Sequence, residues 1–190
     1  MINKALIFVK QSLDQYLRNG FGLNESMVIL NSLVSSNEEK MPGINQNKMV
    51  ISLINIEQET LQPFNTRYKN INVGNYSEVN QEVRFNLDVL FTANFDDYEE
   101  SLKFLTATVS YFQGNSSLTS ATSTNIPEGI SKLNLDIETL TYHETHSLWS
   151  AMGAKYQPSI IYKLRLVTVQ SGEIKQLGKT VSNISQSVIP

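Results

Sequence analysis

Residues 83–91, VRFNLDVLF, carry the clearest periodicity in this chain. Every second residue is apolar, and three of the four residues in between are polar. The apolar ones are Val83, Phe85, Leu87, Val89 and Phe91. Successive side chains of a β-strand point to opposite faces of the sheet. The pattern therefore predicts a strand with one strongly buried face, and any fold for this chain must bury that face.

Helical periodicity predicts three helices. The first is amphipathic, with apolar residues recurring from Ile2 to Leu17, and Gly20 is expected to end it. The second covers residues 98–114 with Gly114 at its end, and a short third covers residues 142–152, followed by Gly153. Four further strands are predicted at residues 27–34, 49–58, 132–140 and 159–169.

Two polar segments are predicted as loops. Residues 62–80 are rich in asparagine and contain Pro63 and Gly74, and residues 115–127 are rich in serine and threonine. Strands then occur both in succession and separated by helices. This order predicts one α+β domain over residues 1–169, with a mixed or antiparallel sheet covered by helices. Residues 170–190 are expected to be a polar tail, or a weak strand that orders only against a partner.

Composition excludes several classes of protein. The 190 residues suit one domain, and the net charge of −3 gives no indication of a nucleic-acid or anionic-membrane partner. The chain has no cysteine, which excludes a disulfide scaffold, a thiolate nucleophile and a cysteine-ligated metal. The apolar run at residues 5–9 is too short for a signal peptide. We therefore expect a soluble protein made in the cytoplasm, with no cleaved export signal and no transmembrane helix.

Four acids lie close together at Asp96, Asp97, Glu99 and Glu100. Clustered carboxylates can hold a metal or share a proton, but these also suit the start of a helix. Asp96 and Glu99 have capping-box spacing, and acids in a first turn are stabilised by the helix dipole. No glycine-containing calcium loop follows. The helix-start interpretation is favoured, with Asp96 as the N-cap.

The two histidines, His143 and His146, stand three residues apart. The zinc-peptidase motif needs H-E-x-x-H spacing, which they lack, and the chain has no third histidine. Thr141 and Glu144 form a predicted capping box at the same place. Phosphate-binding loops and nucleophile elbows are also missing from the sequence. We expect no catalytic residue, no cofactor and no metal site.

Residues 148–159, LWSAMGAKYQPS, concentrate Trp149, Met152, Tyr156 and Pro158 between a helix and a strand. Core packing at this junction is the favoured interpretation. The alternative is an interface patch, because tryptophan and tyrosine are enriched at binding hot spots.

Four blocks in order resemble a known family. They are ALIFVKQSLDQYL near the amino end, VISLINIEQET, LDVLFTANFDDYEESLKFLTATVSYFQG and LWSAMGAKYQPSIIYKLRLVTV. Together, over about residues 2–169, the chain resembles the tail-terminator, or cap, proteins of phage-tail-like contractile injection systems. The strongest blocks are residues 87–114 and 148–169.

The resemblance implies a structural protein and a terminator-like α+β fold. Such proteins form a sixfold ring at the end of the particle distal to the baseplate, where they contact the last tube and sheath rings, stop growth and anchor the sheath. The resemblance also implies that this chain forms a homo-oligomer with tube and sheath partners, which is assembled in the cytoplasm and released with the particle. Two alternatives stay open: another tail component, such as a tube or baseplate adaptor, and a small-ligand-binding domain around His143 and His146.

Overall fold

The computed structural model describes residues 1–34, 43–59, 68–72, 75–79, 83–119, 126–127, 130, 132–169 and 174–179. The helices are α1 (Ile2–Phe21), α2 (Tyr98–Gly114) and α3 (Tyr142–Met152). The strands are β1 (Val28–Leu30), β2 (Lys48–Gln58), β3 (Tyr68–Asn72), β4 (Asn75–Val79), β5 (Val83–Asn94), β6 (Ser117–Thr119), β7 (Lys132–Glu138), β8 (Ser159–Val169) and β9 (Ile174–Lys179). A 3-10 turn covers Gly43–Asn45.

The main sheet has six strands in the order β1-β2-β5-β8-β7-β6. β1 pairs parallel with β2, and every other pair in this sheet is antiparallel. The alternating segment lies in β5, with long strands on both sides of it. The predicted α+β class, with a mixed sheet covered by helices, is confirmed.

A second sheet, β3-β4-β9, is antiparallel and was not predicted. Two of its strands lie in residues 62–80, so the interpretation of that segment as one long loop is wrong at 68–72 and 75–79. The third, β9, pairs with β4 of the same chain. β4 and β9 are about 100 residues apart in the sequence, and the strands of this sheet lack the apolar alternation from which a strand can be predicted. The rest of residues 62–80, and residues 180–190, lie outside the described residues.

One face of the main sheet, called here the α1/α2 face, carries most of the core. Phe91 of β5 contacts Phe112 of α2 and Tyr162 of β8 edge-on, with ring centroids 5.2 and 5.4 Å apart. The buried strand residues on this face are Val28, Met49, Ile51, Leu87, Val89, Phe91, Ala93, Leu118, Leu133, Leu135, Tyr162 and Leu164. The apolar positions of β5 therefore face α1 and α2, as their alternation predicted.

The opposite face, called here the α3 face, has a smaller apolar cluster. Trp149 of α3 is 5% exposed and packs with Val50, Leu90 and Ile161 of three strands. Leu33, which follows β1, joins the same cluster. α3 thus covers only one end of this face.

A buried carboxylate joins α1 to β1. One oxygen of Asp14 accepts hydrogen bonds from the backbone N–H groups of Met27 and Val28, at 2.7 and 2.9 Å, and from the Ser26 hydroxyl at 3.0 Å. This buried side-chain oxygen therefore accepts from three donors, which offsets the cost of burying a polar group. Apolar spacing alone could not assign Asp14 this role.

Several predicted boundaries move. α1 continues through Gly20 to Phe21, and its C-cap is Gly22, which adopts the left-handed conformation at φ 64°. β1 has three residues, not eight, and β6 lies inside the predicted loop at 115–127. α3 ends at the predicted Gly153, which is left-handed at φ 66°. No helix among the described residues is long and apolar enough to cross a membrane.

Candidate interaction surfaces

The acidic cluster starts α2, but at a different residue from the one predicted. Asp97 is the N-cap, and its side chain accepts the N–H of Glu99 at 2.9 Å. Glu99 and Glu100 lie in the first turn. The assignment of Asp96 as N-cap is therefore wrong by one residue. Two adjacent aspartates offer the same capping chemistry, and it is the extended backbone of Asp97 (φ −89°, ψ 123°) that selects it.

Asp96 instead holds the turn before β2. Its carboxylate accepts from the Gln46 side-chain amide at 3.0 and 3.2 Å and from the Asn47 side-chain amide at 3.1 Å. The Asp96 N–H donates to the Asn47 side-chain oxygen at 2.9 Å. Asn47 has φ 55°, a left-handed conformation that asparagine tolerates better than most residues. The carboxylate of Asp96 is therefore used structurally.

Amide side chains fix the same turn from its other side. Asn45 is fully buried, accepts from Asn31 at 2.8 Å and donates to the Ser32 carbonyl at 2.9 Å. Asn94, at the end of β5, donates to the Asn45 carbonyl at 2.7 Å. Three asparagines from distant segments thus hold the ends of β1, β2 and β5 together, and no sequence motif indicated it.

The predicted capping box at α3 is present. The Glu144 carboxylate accepts from the Thr141 N–H at 2.8 Å, and the Thr141 hydroxyl accepts from the Glu144 N–H at 3.3 Å. The backbone and hydroxyl hydrogen bonds from Thr141 hold the pKa of Glu144 below its usual value. Glu144 therefore acts as a helix cap.

His143 and His146 both lie exposed on α3. Across the described part of the chain, no three histidine, aspartate or glutamate side chains come together as a possible metal site. His146 borders a groove of about 940 Å³ between α3 and the strands β7 and β8. The groove is mostly apolar, with Leu90, Trp149 and Ile161 among its lining residues.

The aromatic segment 148–159 divides between core and surface. Trp149 and Pro158 are buried, as the core interpretation predicted. Tyr156 is 66% exposed and meets Trp149 edge-on at 5.5 Å, and Tyr142 on the same groove is 99% exposed. The interface interpretation of Tyr156 stays a prediction.

An ionic network covers the end of the α3 face that α3 leaves open. Lys163 of β8 lies 3.1 Å from Glu57, 3.6 Å from Asp88 and 3.8 Å from Glu138, which belong to three neighbouring strands. The hydrogen bond to Glu57, with the nearby carboxylates, raises the pKa of Lys163. Arg165 pairs with Asp136 at 2.6 Å beside it. One ammonium shared by three carboxylates leaves this region with excess negative charge.

Comparison with known proteins shows which families share this fold. The family model described as the Pvc16 N-terminal domain matches residues 8–183. A search of curated proteins gave no match. The fold is similar to the sheath/tube terminator of an extracellular contractile injection system, PVC, in its extended state, with a TM-score of 0.64 and 16% identity. That similarity covers 97% of this chain and 63% of the other.

The fold is also similar to the tube-terminating cap of the anti-feeding prophage, with a TM-score of 0.63 and 13% identity. Here the similarity covers 96% of this chain and 61% of the cap protein. The chain thus spans about three fifths of the length of both structures. The resemblance to tail terminators stated from the sequence is confirmed.

Proposed function

This chain belongs to the Pvc16 N-terminal domain family, and we propose that it terminates the tail of a contractile injection system. The observation that carries the proposal is the match of almost the whole chain to a fold found in a sheath/tube terminator and in a tube-terminating cap. In this role the protein is structural and catalyses no reaction. It ends tube and sheath polymerisation and anchors the sheath.

The proposed assembly is a sixfold ring of identical subunits. A closed ring uses two different surfaces of each subunit, one for each neighbour, and leaves its two rims for other proteins. The exposed aromatics beside α3 and the negatively charged end of the α3 face supply chemically different surfaces for such contacts. The proposed partners are the tube and sheath subunits. The ring is assembled in the cytoplasm and leaves the cell with the particle.

We further propose that residues 1–169 form the terminator domain and that residues 170–190 form an extension. The strand β9 within that extension pairs with β4, which supports a role for the extension in completing the small sheet.

The first test is deletion of the gene in the producing cell, followed by negative-stain electron microscopy of the particles. Missing, unstable or abnormally long tails, restored by a plasmid copy of the gene, are expected. Tails of normal length with a normal blunt cap would overturn the proposal. Lys4→Gln in the plasmid copy is a matched control, because it removes one exposed charge on α1, away from the surfaces proposed for contacts, and is expected to restore the tails.

A second test locates the protein on the particle. Gold labelling of an epitope-tagged chain is expected at the end distal to the baseplate. Label along the tube or at the baseplate would identify a tube or baseplate component and contradict the proposed terminator role. Native mass spectrometry of the purified protein would add the subunit number of the ring.

A further inference from the structure

Among the residues that the structure describes, β1 is the only strand along the outer edge of β2, and it covers a small part of that edge. β2 has eleven residues, but β1 pairs with only three of them, Met49 to Ile51. After β1, residues 31–34 lie beside the α3 face of residues 52–54, where Leu33 packs and the Ser52 hydroxyl donates to the Asn31 carbonyl. Among the described residues, none forms a strand along the outer edge of residues 52–58. Residues 55–58 are all exposed.

The direction of the backbone groups before the β2 bulge follows from two hydrogen bonds. The Met49 N–H donates outward to the Met27 carbonyl at 2.8 Å, and the Ile51 carbonyl accepts from the Asn31 N–H at 3.1 Å. Backbone groups of alternate residues in a strand point to the same edge. Leu53 therefore also presents its N–H and C=O outward.

Beyond the bulge, the alternation between outward-pointing and inward-pointing backbone groups shifts by one residue. Pairing with β5 shifts between Leu53 and Asn55, so Ile54 is the extra residue. The Glu59 N–H donates inward to the Arg84 carbonyl at 2.9 Å. Counting back from Glu59, the backbone groups of Ile56 and Gln58 point outward. The open edge thus offers the N–H and C=O groups of three residues to an added strand.

The side chains at this edge are apolar on one face. Leu53 lies opposite Val89, and Ile56 lies opposite Leu87, so both belong to the α1/α2 face. They are 36% and 46% exposed. Edge strands that avoid pairing usually carry lysine or proline at such positions. A bulge can also protect an edge by twisting it away, and β2 has one, but Leu53 and Ile56 on either side of it are still exposed apolar side chains beside outward-pointing backbone groups.

On the α3 face, the same edge of β2 is apolar at one end and negatively charged at the other. A groove of about 600 Å³ lies between β2 and α3, with Ile54, Leu148 and Met152 among its lining residues. Further along, Glu57 is half-exposed and shares Lys163 with two other carboxylates. This side therefore suits an apolar side chain at one end and a cation at the other.

We propose that residues 52–58 of β2 bind an extended segment of another protein as an added strand. The segment has apolar side chains against Leu53 and Ile56. On its other side it has an apolar side chain in the α3 groove and a lysine or arginine beside Glu57. Main-chain hydrogen bonds supply affinity in this mode of binding, and the alternating side chains supply specificity.

Charge argues against a second copy of this chain as the occupant. Within the described part of the chain, the other edge of the main sheet that has no partner strand lies in β7, where β6 pairs only with residues 132–134. That edge carries Asp136 and Glu138. An antiparallel pairing of the β2 edge with the β7 edge of another copy would put Glu57 on the same face as Asp136 and Glu138, and pairing two β2 edges would put both copies of Glu57 on one face. Like charges that come to lie opposite each other destabilise a sheet. The edge chemistry therefore selects a foreign, basic strand, whatever the protein's role in a particle.

The test uses the purified full chain and a capped ten-residue peptide in which one side of the extended strand carries valine throughout. The other side carries leucine at the first positions and lysine at the later ones. A matched peptide has glutamate in place of each lysine. Amide hydrogen exchange measured by NMR is expected to slow at Leu53, Ile56 and Gln58 when the lysine peptide is added. The glutamate peptide is expected to bind at least ten-fold more weakly. No slowing at these amides would overturn the proposal.

Two substitutions of Ile56 distinguish backbone hydrogen bonding to the peptide from contact with the side chain. Ile56→Pro removes one outward N–H but leaves the bonds to β5, because proline is tolerated where an edge N–H faces solvent. It is expected to weaken peptide binding at least ten-fold, whereas Ile56→Thr keeps the N–H and binds more tightly than Ile56→Pro. Equal binding by the two variants would contradict strand addition.

Two further measurements complete the test. Glu57→Lys is expected to reverse the preference, so that the glutamate peptide binds better, and this result does not depend on the folding of a proline variant. An unchanged preference would refute the assigned charge contact. Sedimentation of the chain alone tests the second-copy occupant: self-association lost in Ile56→Pro and kept in Ile56→Thr would overturn the choice of a foreign strand.

Discussion

The two faces of the main sheet are built differently, although the same strands form both. On the α1/α2 face, two helices bury a continuous apolar surface that includes the Phe91, Phe112 and Tyr162 rings. On the α3 face, one short helix buries a small cluster through Trp149, and an ionic network around Lys163 occupies the other end. The first face holds the fold together. The second leaves grooves, charges and aromatic side chains available for contacts.

The largest expected effect comes from the α1/α2 face. Phe91→Ala removes a fully buried ring from contact with Phe112 and Tyr162 and leaves a cavity that the rigid sheet cannot close. We expect the free energy of unfolding to fall by about 3–5 kcal/mol, measured by urea denaturation. Phe91→Leu keeps most of the buried area and should cost clearly less. A loss below about 1 kcal/mol for Phe91→Ala would show that this face is not the main core.

A smaller and more local effect is expected on the α3 face. Trp149→Ala removes the side chain that holds α3 on the sheet, at a cost of about 3 kcal/mol. Amides of Tyr142–Met152 should exchange faster while those of β5 stay protected, because α3 has few other contacts with the core. Leu148→Ala, a partly buried neighbour, serves as the control. Parallel loss of protection in β5 would mean that both faces unfold as one unit.

The elements that could be predicted from the sequence are those in which the spacing of apolar residues follows the buried face of a single strand or helix. The β5 alternation, the α2 and α3 spans and the Thr141–Glu144 box follow from local patterns, and the structure confirms them. The faces of β5 differ less than predicted, however. Asn86, Asp88 and Thr92 are buried as well as the apolar positions, because the ionic network and α3 cover their side of the sheet.

Sequence reasoning failed where long-range pairing decides the structure. The strands of the small sheet have no apolar alternation, and β9 meets β4 across about 100 residues. The asparagine network around Asn45 and the role of Asp96 depend on which segments meet in space, which no local spacing encodes. The open edge of β2 is likewise visible only once the three-residue extent of β1 is known.

The ionic network should contribute less than either apolar cluster. Lys163→Met leaves Glu57, Asp88 and Glu138 facing one another without their shared cation. We expect a loss of about 1–3 kcal/mol in urea denaturation at neutral pH, since the Lys163 side chain is largely buried. Combining Lys163→Met with Asp88→Asn relieves part of the repulsion and should recover part of the loss. A simple sum of the two single effects would indicate that the charges do not interact.

The same network predicts a pH dependence at alkaline pH. The pKa of Lys163 is raised in the folded protein, mainly by its hydrogen bond to Glu57. Its stabilising contribution is therefore complete below the ordinary lysine pKa and is lost as the pH rises through the higher folded value. The stability difference between the wild-type protein and Lys163→Met should shrink across this range. A difference that stays constant above the folded pKa would mean that the contribution comes from packing of the lysine stem and not from its charge.

The smallest effect is expected at the start of α3. Thr141→Ala removes the hydroxyl that accepts the Glu144 N–H, and we expect a loss of about 1 kcal/mol, confined to exchange of α3 amides. Thr141→Ser keeps the hydroxyl and should retain the cap.

Because hydrogen bonds from Thr141 lower the folded pKa of Glu144, the contribution of this carboxylate is present above the ordinary glutamate pKa. It is lost as the pH falls through the lowered value, so the effect of Glu144→Gln on α3 exchange should disappear in acid. An effect of Thr141→Ala that spreads to β5 would instead tie the α3 face to the main core, against the contrast between the two faces.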